Sequence, residues 1–238
     1  MQLTKAALWI SLAALLTACG DGQDTTQAPA PDSPAGQRLA SGPSCLADFA
    51  DKPCELLTAA RVKAAYPALP EGVETAENPG LNSCEYNWPG DRTRLVKVST
   101  FEVETPIPNR VAINWIRKKD ADQALEQFQL TYRNLSDEEK AEAVAAVEAQ
   151  LAKRAEDLPE DQRALASGLG KSLIEASHFE PVEGVGSAAV WDGGALVNSL
   201  KVLDRDTEFG IEVDISADPA QNRALAIAVA REVMAACP

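Results

Sequence analysis

Thr207-Glu208-Phe209-Gly210-Ile211-Glu212-Val213-Asp214-Ile215 alternates polar and apolar residues from end to end. A period of two puts Phe209, Ile211, Val213 and Ile215 on one face and Glu208, Gly210, Glu212 and Asp214 on the other, so the stretch reads as a half-buried strand with one face toward a core. Two more β-type runs precede it, Val185 to Trp191 and Ala195 to Leu203. Gly193-Gly194 and Asp204-Arg205-Asp206 supply the turns between them. Downstream, Asp218-Pro219 has the N-cap and first-turn signature of a helix whose inner face is Leu225, Ala228, Val229 and Val233.

Upstream, Cys84-Glu85-Tyr86-Asn87-Trp88 alternates in the same way. Pro89-Gly90-Asp91 reads as a turn, and Leu95 to Val103 as the second strand of a pair. A first short helix follows Thr58, a capping residue, with Val62 and Ala65 on its apolar side and Tyr66-Pro67 as its stop. Between the two β regions the pattern is helical. Pro106 and Pro108 punctuate the change, and Val111, Trp115 and Ile116 share a helical face. Asp120 with Gln123 opens a helix carrying Leu125, Phe128, Tyr132 and Leu135. Ser136 with Glu139 opens another, a long charged helix with a narrow stripe of Val144, Val147, Leu151 and Leu158. Strands, helices, strands and a final helix make an α+β fold: an antiparallel sheet flanked by helices, with 109–172 as a helical insertion.

The chain begins differently. Lys5 and the apolar run Ala6 to Leu16 form a signal-like leader, shorter than the roughly 20 apolar residues that span a bilayer. It closes on Leu16-Thr17-Ala18-Cys19, which resembles a bacterial lipobox. That resemblance implies cleavage of residues 1–18, lipidation (palmitate) of Cys19 and stable membrane anchoring by more than one acyl chain. Gly20 after the cysteine implies the outer membrane, facing the periplasm. Residues 20–43 contain hardly a large apolar side chain and read as a flexible linker, leaving 44–238 as a single domain.

Composition excludes several partners. The formal charge is −14, and removal of residues 1–18, which takes Lys5 and no acid, makes it −15. Such a body repels phosphate backbones, so nucleic acid is not an expected partner. Of the five cysteines, assigning Cys19 to lipid leaves Cys45, Cys54, Cys84 and Cys237. An even remainder in an oxidising compartment reads as two disulfides. Three pairings are formally open, with Cys54–Cys84 and Cys45–Cys237 favoured. The first closes a loop of about thirty residues, worth roughly 3–4 kcal/mol in the chain-entropy model. No Cys-x-x-Cys pair occurs and His178 is the lone histidine, so no metal site is expected.

Motifs that invite chemistry fall short on inspection. Gly170-Lys171-Ser172 lacks the upstream glycine of a phosphate loop, Leu165 standing there instead, and no nucleotide is expected. Gly184-Val185-Gly186 leads into a strand rather than a helix, which suits a tight turn. Asp204, Asp206 and Glu208 have the spacing of calcium-loop oxygens, but Phe209 stands where an EF-hand needs glycine and Ile215 where it needs glutamate. His178 finds no Gly-x-Ser-x-Gly elbow to serve. Trp88, Trp115 and Trp191 are candidate pocket aromatics. No catalytic residue and no cofactor is nominated.

Lys52-Pro53-Cys54-Glu55-Leu56-Leu57-Thr58, followed by Ser83-Cys84-Glu85-Tyr86, resembles the Pro-Cys-x-Leu-Leu opening of small secreted bacterial lipoproteins of uncharacterised function. Gly184 to Trp191, the β runs after it and the alanine-rich last helix are similar to the same group's C-terminal half. The resemblance implies a PsbP-like α+β domain, a disulfide and an extracytoplasmic compartment, and carries over no catalytic residue. The expected function is that of a non-enzymatic, lipid-anchored periplasmic protein that binds a partner or ligand in the envelope. The alternatives are an inhibitor or immunity-type lipoprotein neutralising a basic toxin or hydrolase, and an envelope hydrolase working through carboxylates.

Overall fold

In the computed structural model, residues 42–78, 80, 82–98, 101–154, 160–194 and 198–237 are described. The leader, Cys19 and the linker as far as residue 41 lie outside them, as do Leu158 and residues 195–197. Leu39–Pro238 forms one compact unit. Among the described residues, no helix is long and apolar enough to cross a membrane.

A 3₁₀ turn, Cys45–Phe49, leads to two short helices, α1 (Pro53–Leu56) and α2 (Ala59–Ala65). Strands β1 (Thr75–Asn78), β2 (Ser83–Val98) and β3 (Phe101–Lys118) follow, then α3 (Ala124–Thr131), α4 (Asp137–Arg154) and α5 (Glu160–Ala176). The chain ends with β4 (Phe179–Pro181), β5 (Ala188–Asp192), β6 (Ser199–Asp204), β7 (Thr207–Asp214) and α6 (Pro219–Met234). Among the described residues all seven strands join one antiparallel sheet in the order β1-β2-β3-β7-β6-β5-β4. This is the expected α+β fold.

The opening stretch behaves as its alternation dictates. Phe209, Ile211 and Val213 are buried with Leu200 and Val202 of β6, Val111 and Ile113 of β3, and Leu225, Ala226, Val229 and Val233 of α6. Full burial of each large side chain is worth about 1.5–3 kcal/mol, which makes this face the main source of stability. Thr58 caps α2 through a bond from the Arg61 amide, and the Asp218 carboxylate caps α6 through the Ala220 amide. Gly186, at φ +59°, passes so close to Leu203 that a Cβ would strike its carbonyl. Gly184-Val185-Gly186 is therefore a packed turn, as its sequence context requires. Both favoured disulfides form: Cys45–Cys237 (Cα–Cα 5.7 Å) ties the first turn to the end of α6, and Cys54–Cys84 (5.0 Å) ties α1 to β2.

The central region departs from its helical reading. Residues 109–118 belong to β3, so the helices run from Ala124 to Ala176 and the insertion does not begin at 109. Val111, Trp115 and Ile116 have helix-like spacing only because a bulge between Asn114 and Arg117 adds a residue to the strand. Trp115 sits on that bulge at φ +56°, and Ile116 regains the core. Pro106 and Pro108 do not end the strand. They lie where β7, which pairs only from Arg110 onward, no longer borders β3, and an unpaired edge tolerates proline. Pro89-Gly90-Asp91 likewise is not a turn but an irregularity inside β2, between Trp88 and Arg92. Leu125, expected on the inner side of α3, is exposed, and Ala124 and Phe128 are buried instead.

Candidate functional site

The sheet has a second face, formed by the even-numbered residues of β7 and, as far as the bulge at Asn114, of β3. Most of it is polar. Arg110 bridges Glu85 (2.8 Å) and Glu212 (2.9 Å), and the Asn114 side-chain amide donates to Glu212. Gly210 leaves room for this arrangement, since a Cβ there would collide with the Asn114 oxygen. Lys201 stands opposite Gly210. Desolvation lowers its pKa from the usual lysine value, while Glu212, Asp192 and Glu208 pull the other way. At the far end Glu208 is buried, held by Lys119 at 2.8 Å and Tyr132 Oη at 2.7 Å. Burial first, and then that hydrogen bond, push the Tyr132 phenol well above its ordinary range. The carboxylates gathered here each face a cation or a donor, the arrangement of a polar seam that orders a sheet face.

The sequence candidates scatter over the fold. Trp88 and Trp191 are buried in the core on β2 and β5, with three strands between them in the sheet, whereas Trp115 is partly exposed beside Arg117. The three do not share one cavity. Trp88 borders a cavity of about 370 Å³ with Pro89, Gly90, Pro106 and Pro108. Asp204 and Asp206 share Ser44, which reaches them through its hydroxyl (2.6 Å) and amide (2.8 Å), whereas Glu208 is held by Lys119, so the three acids do not converge on one point. Among the described residues no group of three or more His, Cys, Asp or Glu could hold a metal. His178 is exposed, 3.7 Å from Glu180. Gly170 and Lys171 lie within α5 rather than in a loop.

The helical insertion leaves apolar surface uncovered. The α4 stripe of Val144, Val147 and Leu151 turns toward α5: Gly170 admits Val147 so closely that a Cβ would sit 3.0 Å from its methyl. Two open grooves of about 440 and 390 Å³ lie between the helices, one beside Leu151 and Ala164, the other beside Val144 and Lys171. With α5's small residues turned toward α4, Leu165, Leu169 and Leu173, spaced i, i+4 and i+8, lie on its opposite side. They are 74%, 50% and 44% exposed.

Each end of the helical pair is anchored. Ser136 and Glu139 make the reciprocal capping box read from the sequence: the Glu139 amide reaches Ser136 Oγ (3.2 Å) and the Ser136 amide reaches Glu139 Oε2 (2.9 Å). The Arg133 hydrogen bond and the Ser136 amide hold the Glu139 carboxyl down at about 2. Asn134 closes the excursion, bonding both the carbonyl (2.9 Å) and the amide (2.8 Å) of Phe179. Tyr132 packs at a tilt against Phe128 and edge-on against Phe179 at the same junction. Asn134 carries no sequence signal, because its partner is 45 residues away. No family model matches this chain, nor does any curated protein or solved structure.

Proposed function

We propose that the protein is a non-enzymatic binding module, lipid-anchored through Cys19 on the periplasmic side of the outer membrane, and that the α4–α5 pair is what it offers to an envelope protein. The leucine row on α5 is the observation that carries this reading. An exposed helix face with three large apolar residues at helical spacing is suited to an apolar groove or a second amphipathic helix. The anchors at Asn134 and Ser136 hold that face in place and so reduce the ordering cost of docking. Pairing of Glu208 and Glu212 with cations weighs against carboxylate hydrolysis, which needs a carboxyl kept free or poised. The lipoprotein resemblance, with its PsbP-like domain, agrees with the Cys54–Cys84 disulfide and with the antiparallel sheet.

The test is site-specific photocrosslinking in envelope extract, with the probe at Leu169 and, as a control, at exposed Leu130 on α3. One stoichiometric adduct from Leu169, lost on Leu165→Lys or Leu173→Lys, is the expected result. Equal labelling from both positions, or none, would reject the α5 face. The formal charge of −14 favours a second reading, neutralisation of a basic toxin or hydrolase. Capture of a basic protein that is lost at high salt and indifferent to the leucine variants would support that reading instead.

A further inference from the structure

β2 and β3 run on past their neighbours. β1 meets β2 only from Ser83 to Tyr86, and β7 meets β3 only from Arg110 to Lys118. The stretch that pairs Arg92–Val98 with Phe101–Ile107 is therefore a two-stranded ribbon extending beyond the sheet. Its length is about 20 Å at the usual rise per residue.

Directly opposed residues of an antiparallel pair share a face. Arg94 with Thr105, Val96 with Val103, and Phe101 at the far end thus lie on one side. Thr93 with Pro106 and Leu95 with Glu104 lie on the other. On β3 the first side continues the parity of Val111 and Ile113, which are fully buried in the core. Following it outward, Ile107 and Thr105 are half-buried, Val103 is 48% exposed and Phe101 73% exposed. The apolar pattern of the core face continues where the helices that cover it have ended. A two-stranded ribbon of this kind gains little stability in water until something covers its apolar face.

We propose that the cover is the same face of a second copy of this chain, in a two-fold contact between ribbons. Charge argues for it. The chain carries −14 overall and repels its own copies. The ribbon itself is neutral: Arg94 and Lys97 balance Glu102 and Glu104, and Arg92 is paired with Asp214. Two acidic copies meet there at low electrostatic cost. Symmetry argues for it as well, since an isologous contact needs a self-complementary patch. A two-fold axis at the Val96/Val103 row stacks those valines on their counterparts and brings Arg94 over the Phe101 ring of the other copy, a cation–π contact. Faces of this size bury on the order of 1,000 Å² in all, the low end for a specific interface, so the dimer is weak.

Sedimentation equilibrium on the compact unit, residues 39–238 with both disulfides formed, tests the proposal. The unit contains the whole described core, so it is suited to study on its own. The expected result is a monomer–dimer equilibrium that tightens as salt screens the net repulsion. Phe101→Lys should weaken it at least about tenfold. Leu95→Lys, equally exposed on the other face of the same ribbon, should leave it within about twofold. Both positions are outside the core, so both variants are expected to fold, which circular dichroism and a free-thiol assay check. A monomer at all concentrations up to roughly 0.5 mM, or equal damage from the two lysines, overturns the proposal. So does Phe101-dependent flotation of a monomeric chain with phosphatidylglycerol vesicles, which would make a bilayer the occupant.

Discussion

Phe209 and Phe101 occupy the same kind of position, a strand residue on the core-side face, yet one is sealed under α6 and the other stands in water. The body of the molecule and its two appendages, the β2–β3 ribbon and the α4–α5 pair, differ throughout in this way. In the body, alternation, helix capping and two disulfides all favour the same packing, the mutual consistency that gives a single native state. In the appendages the local pattern is as regular, but the apolar surface it generates has no cover among the described residues. Regular secondary structure with uncovered apolar residues is what a surface built for contact looks like.

The largest expected effect is also the most direct way to break this contrast. Phe209→Ala should cost about 3–5 kcal/mol by emptying a closed core site. Phe101→Ala should change stability by less than about 0.5 kcal/mol. Urea denaturation of the two variants checks it, and similar losses would mean that the ribbon is covered after all. Next in size come the staples. Cys54→Ser with Cys84→Ser should cost roughly 2–5 kcal/mol, an effect on the body. Hydrogen exchange in α4 and α5 should rise no more than the global loss requires.

A smaller effect belongs to the seam between body and insertion. Tyr132→Phe removes the hydrogen bond to Glu208, which keeps Lys119, so the loss should be about 1 kcal/mol. Its pH signature is specific. The phenol pKa is raised in the folded state, so the folded chain favours the protonated ring. The associated stability is complete below the unfolded tyrosine value, near pH 10, and is lost as pH rises above it. Alkaline titration of stability should therefore fall less steeply in Tyr132→Phe than in the parent, and unchanged slopes would remove Tyr132 from the seam.

These contrasts also explain what could be read in advance. β7, the Thr58, Ser136 and Asp218 caps and both disulfides are local or arithmetical features, and each stands as its residues indicate. Val111, Trp115 and Ile116 misled because a single inserted residue at a bulge converts a strand period into a helical one, and nothing local marks it. Pro106 and Pro108 misled because the harm a proline does in a strand depends on whether a neighbour is there to be bonded. That is a property of the sheet, not of the dipeptide. The polar seam and the Asn134 clasp were invisible for a simpler reason. Glu208 meets Tyr132 across 76 positions and Asn134 meets Phe179 across 45. Buried polar pairs of that separation leave no periodicity.

The smallest effect is the sharpest test of whether the helical pair is a separate unit. Ser136→Ala removes one half of the capping box and should weaken the first turn of α4 by about 1 kcal/mol. The turn lies outside both core clusters, so amide exchange at Glu139 and Lys140 should rise severalfold while the global unfolding midpoint stays put. Acid provides the same test without a substitution. The Glu139 carboxyl titrates near 2, below its unfolded value. The cap is therefore intact above pH 5 and fails only as pH falls through that lower value. Protection of the α4 first turn should outlast that of ordinary exposed carboxylate caps on acidification. If it were lost together with the sheet amides, α4 and α5 would unfold with the body, and the leucine row on α5 would be part of its packing rather than a surface held out for a partner.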